Sequence, residues 1–276
     1  MTKASKSRSI LHHPLSYLTL YIALIAITLA AIRLIPLFAG VFHYLIVGVI
    51  VSCVTLWLTR TWLKHEQRNL AAIGLLWRQS IGQHAFIGLL LGCVTMLVIF
   101  ASLLLSGSLE VQSLPTEVTS FLIHSVPILL VLALMEELIF RGYLMFRLRE
   151  LFGTRVAVYV TALVFGLYHG WSLQSLLGPA IWGLVFALLA LKSRGLAMPI
   201  MFHFALNWLQ ALFNMKVKYT SGLFEFTLPA TEPLFKADSI GLMMQGIVLL
   251  FTVIAIERFC QQERLHQQQT ATTAIG

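Results

Sequence analysis

The feature that most constrains this chain is a succession of long apolar segments separated by short, mostly basic connectors. A helix that crosses a bilayer needs about 20 predominantly apolar residues. Eight segments of that kind can be marked, near 15–32, 35–58, 85–106, 121–140, 156–171, 173–191, 196–214 and 239–256. A basic, amphipathic connector occupies 59–84. Backbone polar groups in hydrocarbon must be satisfied within the protein, so a closed helical bundle is the expected architecture. The expected fold class is therefore all-α: a polytopic membrane helical bundle of about eight transmembrane helices, forming one integral membrane domain over residues 1–276. Residues 261–276 are polar and rich in Gln and Thr, and are expected to be a disordered tail.

Composition agrees with the segments. Of 276 residues, 58% are hydrophobic and 11% charged, and the mean hydropathy is +0.86. A soluble domain carries about 25% charged residues, so a soluble enzyme and a disordered chain are both excluded. Cys53, Cys93 and Cys260 show no C-x-x-C spacing, which leaves three reduced structural thiols as the expectation. The first apolar run is too long for the core of a cleavable signal and lacks an A-x-A-like site.

The formal charge of +8 would suggest a nucleic acid partner in a soluble protein. Here the cations flank apolar runs, so the partner expected is the lipid bilayer and not nucleic acid. Fifteen of the 19 Lys and Arg residues fall in the N-terminal tail, in alternate connectors and in the C-terminal tail. The other four, Arg33, Lys216, Lys218 and Lys236, fall on the opposite side. The excess of Lys and Arg on cytoplasmic loops then predicts that both termini are cytoplasmic.

Only 11 residues are acidic, and two adjacent ones interrupt a span. Glu136 and Glu137 follow the unbroken apolar run 126–135. A carboxylate at membrane depth costs several kcal/mol, about 3 on insertion scales, and is a functional candidate by default. Adjacent residues on a helix point about 100° apart. Glu137 has Arg141 four residues on, on the same face. Glu136 has Phe140 there and no cation, so the spacing pairs Glu137 with Arg141 and leaves Glu136 free. The alternative is two solvated glutamates at a helix end.

Two intramembrane histidines extend the pattern. His169 ends FGLYHG, and His203 lies in MFHFALN with Asn207 four residues later on the same face. Each histidine alone is as readily a structural hydrogen-bond donor. His43 and His124 have no such polar neighbour and are read as structural. A hairpin turning at Phe152–Gly153 would bring Glu136 and His169 to one height, about 24 Å from the turn, with His203 about 10 Å deep. The depths agree if the hairpin tip projects into the cytoplasm.

These motifs resemble a known family. Glu136-Glu137-x-x-x-Arg141, Phe165-x-x-x-His169 and His203-x-x-x-Asn207 are similar, in order, to the three motifs of the CPBP intramembrane proteases. That family includes the type II CAAX prenyl proteases and the bacteriocin-processing or immunity-associated Abi proteins. The resemblance covers roughly residues 120–210, which would be the catalytic core. It implies an intramembrane endopeptidase of glutamic type acting on a membrane-embedded or lipidated protein or peptide. Glu136 would activate water, His169 would position it, and His203 with Asn207 would stabilise the oxyanion. Glu137 with Arg141 would hold the helix in register.

No cofactor is preferred. The alternative is a zinc-dependent protease with Glu136, His169 and His203 as ligands. H-E-x-x-H is absent, and Asn207 and Arg141 fit the metal-free version more naturally. A proton-coupled transporter would also use buried Glu and His, but no repeated halves with broken helices are visible. A non-catalytic immunity or scaffold protein is the remaining alternative. The short loops suggest a bacterial inner (plasma) membrane.

Overall fold

The computed structural model describes residues 18–30, 42–75, 80–229 and 236–273. Eight helices lie in these stretches. They are α1 (Leu18–Ala30), α2 (Phe42–His65), α3 (Ile81–Leu105), α4 (Val118–Glu137), α5 (Met145–His169), α6 (Leu173–Ser193), α7 (Ala197–Leu212) and α8 (Ala237–Thr273). A π-helical segment, Leu138–Leu144, joins α4 to α5. The cations at Lys3, Lys6, Arg8, Arg33 and Arg78 lie outside the described residues.

Among the described residues, five helical stretches are long and apolar enough to cross a membrane. One of them, Val118–His169, runs through α4, the π segment and α5. Within it the backbone leaves helical geometry at Gly142 and again at Gly153, where φ is +85°. The second break falls at the expected hairpin turn. α1 and α7 are shorter apolar helices. Large apolar side chains such as Phe86, Leu90, Leu97, Leu242, Met243 and Phe251 are exposed. On a water-soluble protein such a surface would be a liability. On this one it is the face that meets lipid.

Small residues set the closest helix packing. Gly88 and Gly92 on α3 are four apart, and α7 passes over both. A Cβ at Gly88 would lie 2.2 Å from the Met198 carbonyl oxygen, and one at Gly92 would lie 2.7 Å from the Ala205 Cβ. Such small-x-x-x-small stripes let membrane helices approach where apolar burial gives little drive. α7 is thereby seated in the bundle, and it carries His203. Trp208 on α7 donates to Ser125 Oγ on α4 at 3.1 Å, which fixes α7 from its other side.

Two features depart from expectation. The fold is not purely helical, because Glu110–Ser113 (β1) pairs antiparallel with Phe224–Thr227 (β2), with Glu110 opposite Thr227. β2 is held by Phe226, which stacks on Phe213 at 4.6 Å and meets Phe100 edge-on at 5.1 Å. The Gln/Thr-rich tail is helical as far as Thr273. α8 at about 55 Å is longer than the hydrocarbon is thick. Its polar end continues a Gln-rich helix with no Gly or Pro to stop it. It is also tied to α5 through Glu257 with Arg155, and Glu263 with Arg149 and Thr154.

Candidate active site

The last residues of α4 place the two glutamates on different faces. Glu137 and Arg141 are fully buried, with no side-chain exposure, whereas the Glu136 side chain keeps 13%. Arg141 Nη1 donates to Glu137 Oε1 at 3.4 Å, the i,i+4 pair read from the spacing. Arg141 Nη2 donates to the Gly183 carbonyl on α6 at 2.9 Å. The guanidinium lies 4.4 Å from the Phe165 ring and 5.2 Å from Phe186. A buried cation needs a counter-charge and donors satisfied on every side, and Glu137, a carbonyl and two ring faces provide most of that.

Glu137 has a second partner that the spacing did not disclose. His203 Nδ1 donates to Glu137 Oε1 at 3.0 Å. The imidazole stacks on Phe186 at 4.4 Å with a 17° interplanar angle. Its orientation is thus set from two directions. His169 is fixed in a similar way, donating through Nδ1 to the Phe165 carbonyl at 2.9 Å and packing on the Phe165 ring at 4.5 Å. When Nδ1 of an imidazole donates, Nε2 is left as an acceptor in the neutral ring.

Both Nε2 atoms face Glu136. His203 Nε2 is 3.6 Å and His169 Nε2 3.8 Å from Glu136 Oε2. That oxygen is itself buried with no hydrogen-bond partner among the described residues. The three motif elements therefore meet at one carboxylate oxygen. Asn207 is half-buried one turn beyond His203 on α7, and the structure bonds it to none of the other five.

Two further residues feel this carboxylate. Lys216 is half-buried in the connector after α7. Burial pushes its ammonium below its usual range, and the Glu136 charge partly restores it. Tyr219 in the same connector is pushed up to about 12 by burial, by Glu136 and by Tyr44. Nothing in the sequence sets Lys216 apart from Lys218. Phe186 and Gly183 were equally hidden, since each is one more apolar or small residue in an apolar span.

Chemically, the site holds a carboxylate between two acceptor nitrogens, backed by a second carboxylate and a guanidinium. Such a cluster offers several hydrogen-bond partners to a water molecule. Residues 118–209 match the family described as type II CAAX prenyl endopeptidase, Rce1-like. No curated protein and no solved structure matches the chain. All six motif side chains lie within the matched stretch. Residues 118–209 thus match the CPBP/CAAX protease family, within a chain whose described helices include five stretches long and apolar enough to cross a membrane.

Proposed function

We propose that the protein is an intramembrane endopeptidase in which Glu136 activates water for direct attack on a peptide carbonyl. The observation that carries this reading is the convergence of His169 Nε2 and His203 Nε2 on Glu136 Oε2, at 3.8 and 3.6 Å. Water can donate one proton to Glu136 Oε2 and the other to His169 Nε2. Glu136 takes one proton as the water oxygen bonds to the carbonyl carbon. The same proton then passes to the leaving nitrogen as the C–N bond breaks, the usual two-stage use of one general acid–base.

His203 donates to the oxyanion from Nε2 only when it carries both protons, because Nδ1–H is committed to Glu137. Asn207 is the second donor. His169 holds the water. Arg141 neutralises Glu137, so that the site is not burdened with two uncompensated carboxylates.

The substrate we infer is a membrane-associated prenylated protein or peptide, in keeping with the matched family. The test is incubation of the detergent-purified protein with a farnesylated peptide ending in a CAAX sequence, with products read by mass. Release of the C-terminal residues supports the reading. Folded, monodisperse protein that leaves this peptide and a panel of geranylgeranylated variants intact contradicts the substrate class.

Zinc is the second reading, with Glu136, His169 and His203 as its ligands and a more acidic water as its contribution. Two acceptor nitrogens beside one carboxylate oxygen favour it. Against it, among the described residues no group of three or more such side chains has the arrangement that a metal ion needs. Cleavage that is lost on exhaustive chelation and restored by zinc would establish it.

A further inference from the structure

Arg141 also borders a cavity of about 640 Å³. It is formed between the short turn 70–74, the start of α5, the end of α6 and the polar part of α8. Neither Glu136, His169, His203 nor Asn207 lines it, so it is separate from the water-binding face of the site. Its apolar wall includes Phe146, Leu191, Leu196 and Phe259. Its cations are Arg149, Lys192 and Arg194, with Arg141 at its inner end and Glu263 as its one carboxylate.

The charges do not cancel. Glu263 is bound to Arg149, and Arg141 is neutralised by Glu137. Lys192 and Arg194 are exposed and no carboxylate pairs with either among the described residues. Lys192 Nζ lies 5.4 Å over the Phe259 ring, where an ammonium bound to a carboxylate would not be expected. The cavity thus has spare positive charge at its mouth.

Its height in the bundle is also informative. Lys192 is in the last turn of a membrane-spanning stretch, Leu176–Ser193. Phe259 follows the apolar part of α8. The cations therefore stand where hydrocarbon gives way to water, on the face with most of the basic residues. A water-soluble anion would need no apolar wall, and a neutral lipid would need no cations.

We propose that this cavity holds the phosphate headgroup of an anionic phospholipid, with its acyl chains running down the lipid-facing surface of α8. Basic pockets between spanning helices suit such headgroups, and each cation near the surface adds to the attraction. The lipid would close the bundle behind Arg141, one side chain from the Glu137–His203 contact.

The test uses the full chain in nanodiscs of phosphatidylcholine, with and without phosphatidylglycerol. Native mass spectrometry reads retained lipid, and thermal unfolding reads stability. Phosphatidylglycerol should be retained and should raise the unfolding temperature. The double variant Lys192→Gln/Arg194→Gln should bind it about thirtyfold more weakly and lose the temperature rise. Its unfolding in phosphatidylcholine alone should match the unsubstituted protein. The variant Lys192→Arg/Arg194→Lys should retain the lipid, which separates charge from folding. Equal loss in Arg60→Gln/Lys64→Gln, two cations on α2 away from the cavity, would overturn the proposal in favour of diffuse surface attraction. So would full reproduction of the stabilisation by inorganic phosphate, or undiminished lipid binding in the first variant.

Discussion

His203 Nδ1 and Arg141 Nη1 both donate to the same oxygen of Glu137, at 3.0 and 3.4 Å; the His203–Glu137 bond is the hinge between structure and chemistry here. Through it the buried ion pair at the end of α4 decides which nitrogen of His203 is left to face Glu136. In the proposed mechanism Glu137 is then a positioning residue and Glu136 the catalytic one. The two roles separate on substitution.

Glu137→Gln leaves Arg141 buried without its counter-charge. Breaking one partner of a buried pair costs about 3–5 kcal/mol. Both the unfolding temperature in detergent and the cleavage rate should fall. Glu137→Gln combined with Arg141→Met should recover part of the lost stability, because no charge is then stranded, but not the rate, because His203 is no longer oriented by a carboxylate. A double variant no more stable than the single one would contradict this account of the pair.

Gly183 is predicted to be intolerant of even one methyl group. A Cβ there would lie 3.0 Å from the Ala162 Cα and 3.1 Å from Arg141 Nη2. Gly183→Ala should cost about 1–3 kcal/mol, the usual range for overpacking, and should lower activity by shifting Arg141. Wild-type stability and rate in this variant would show that α6 yields without disturbing the pair.

The connector after α7 gives a pH signature in stability. Tyr219 is held at about 12 from an ordinary 10.0. A raised folded-state value means that the folded protein keeps its proton longer than the unfolded chain does. The stabilisation is complete below pH 10 and is lost as pH rises through 10 towards 12. Tyr219→Phe should lose less stability over that window than the unsubstituted protein. Lys216 has the opposite sign: its value is lowered from 10.5, so its burial cost is relieved as pH rises towards 10.5. Identical slopes for wild type and Tyr219→Phe between pH 10 and 12 would contradict the Tyr219 assignment.

Topology is testable directly. The distribution of Lys and Arg predicts that both termini are cytoplasmic across eight spans. Reporters placed after Gly107, in the turn beyond α3, and at the C-terminus should fall on opposite sides of the membrane. Reporters on the same side would contradict the eight-span arrangement.

The parts of this structure legible in the sequence were those governed by local rules. Apolar runs located the helices but not all of their ends, since α2 runs on to His65, α5 begins at Met145 and α8 continues to Thr273; i,i+4 spacing identified the Glu137–Arg141 pair. Gly153 stands at the expected turn, and the three short motifs named the five side chains that meet, together with Asn207, which the structure bonds to none of them. What was hidden depends on contacts between segments distant in the chain. The bond from His203 to Glu137 joins residues 66 apart, and no periodicity reports it. The β1–β2 ribbon joins two four-residue stretches, too short for an alternation signal against this background. The helical tail was misjudged because composition describes a segment in isolation, whereas Glu263 is held by α5. The Gly88–Gly92 stripe gains its meaning only from the position of α7, which passes over both.

The central claim is that Glu136 is the base and that removing its charge leaves the fold intact. The most direct measurement is the single-turnover cleavage rate of Glu136→Gln against the unsubstituted protein, with the unfolding temperature of both recorded in the same detergent. Glutamine keeps the shape and the hydrogen-bonding capacity but cannot take the proton. Loss of a general base lowers the rate by about 10²–10⁴-fold, and the unfolding temperature should not change. A Glu136→Gln protein that cleaves at the wild-type rate, or one that unfolds while Glu137→Gln stays stable and inactive, would contradict the account.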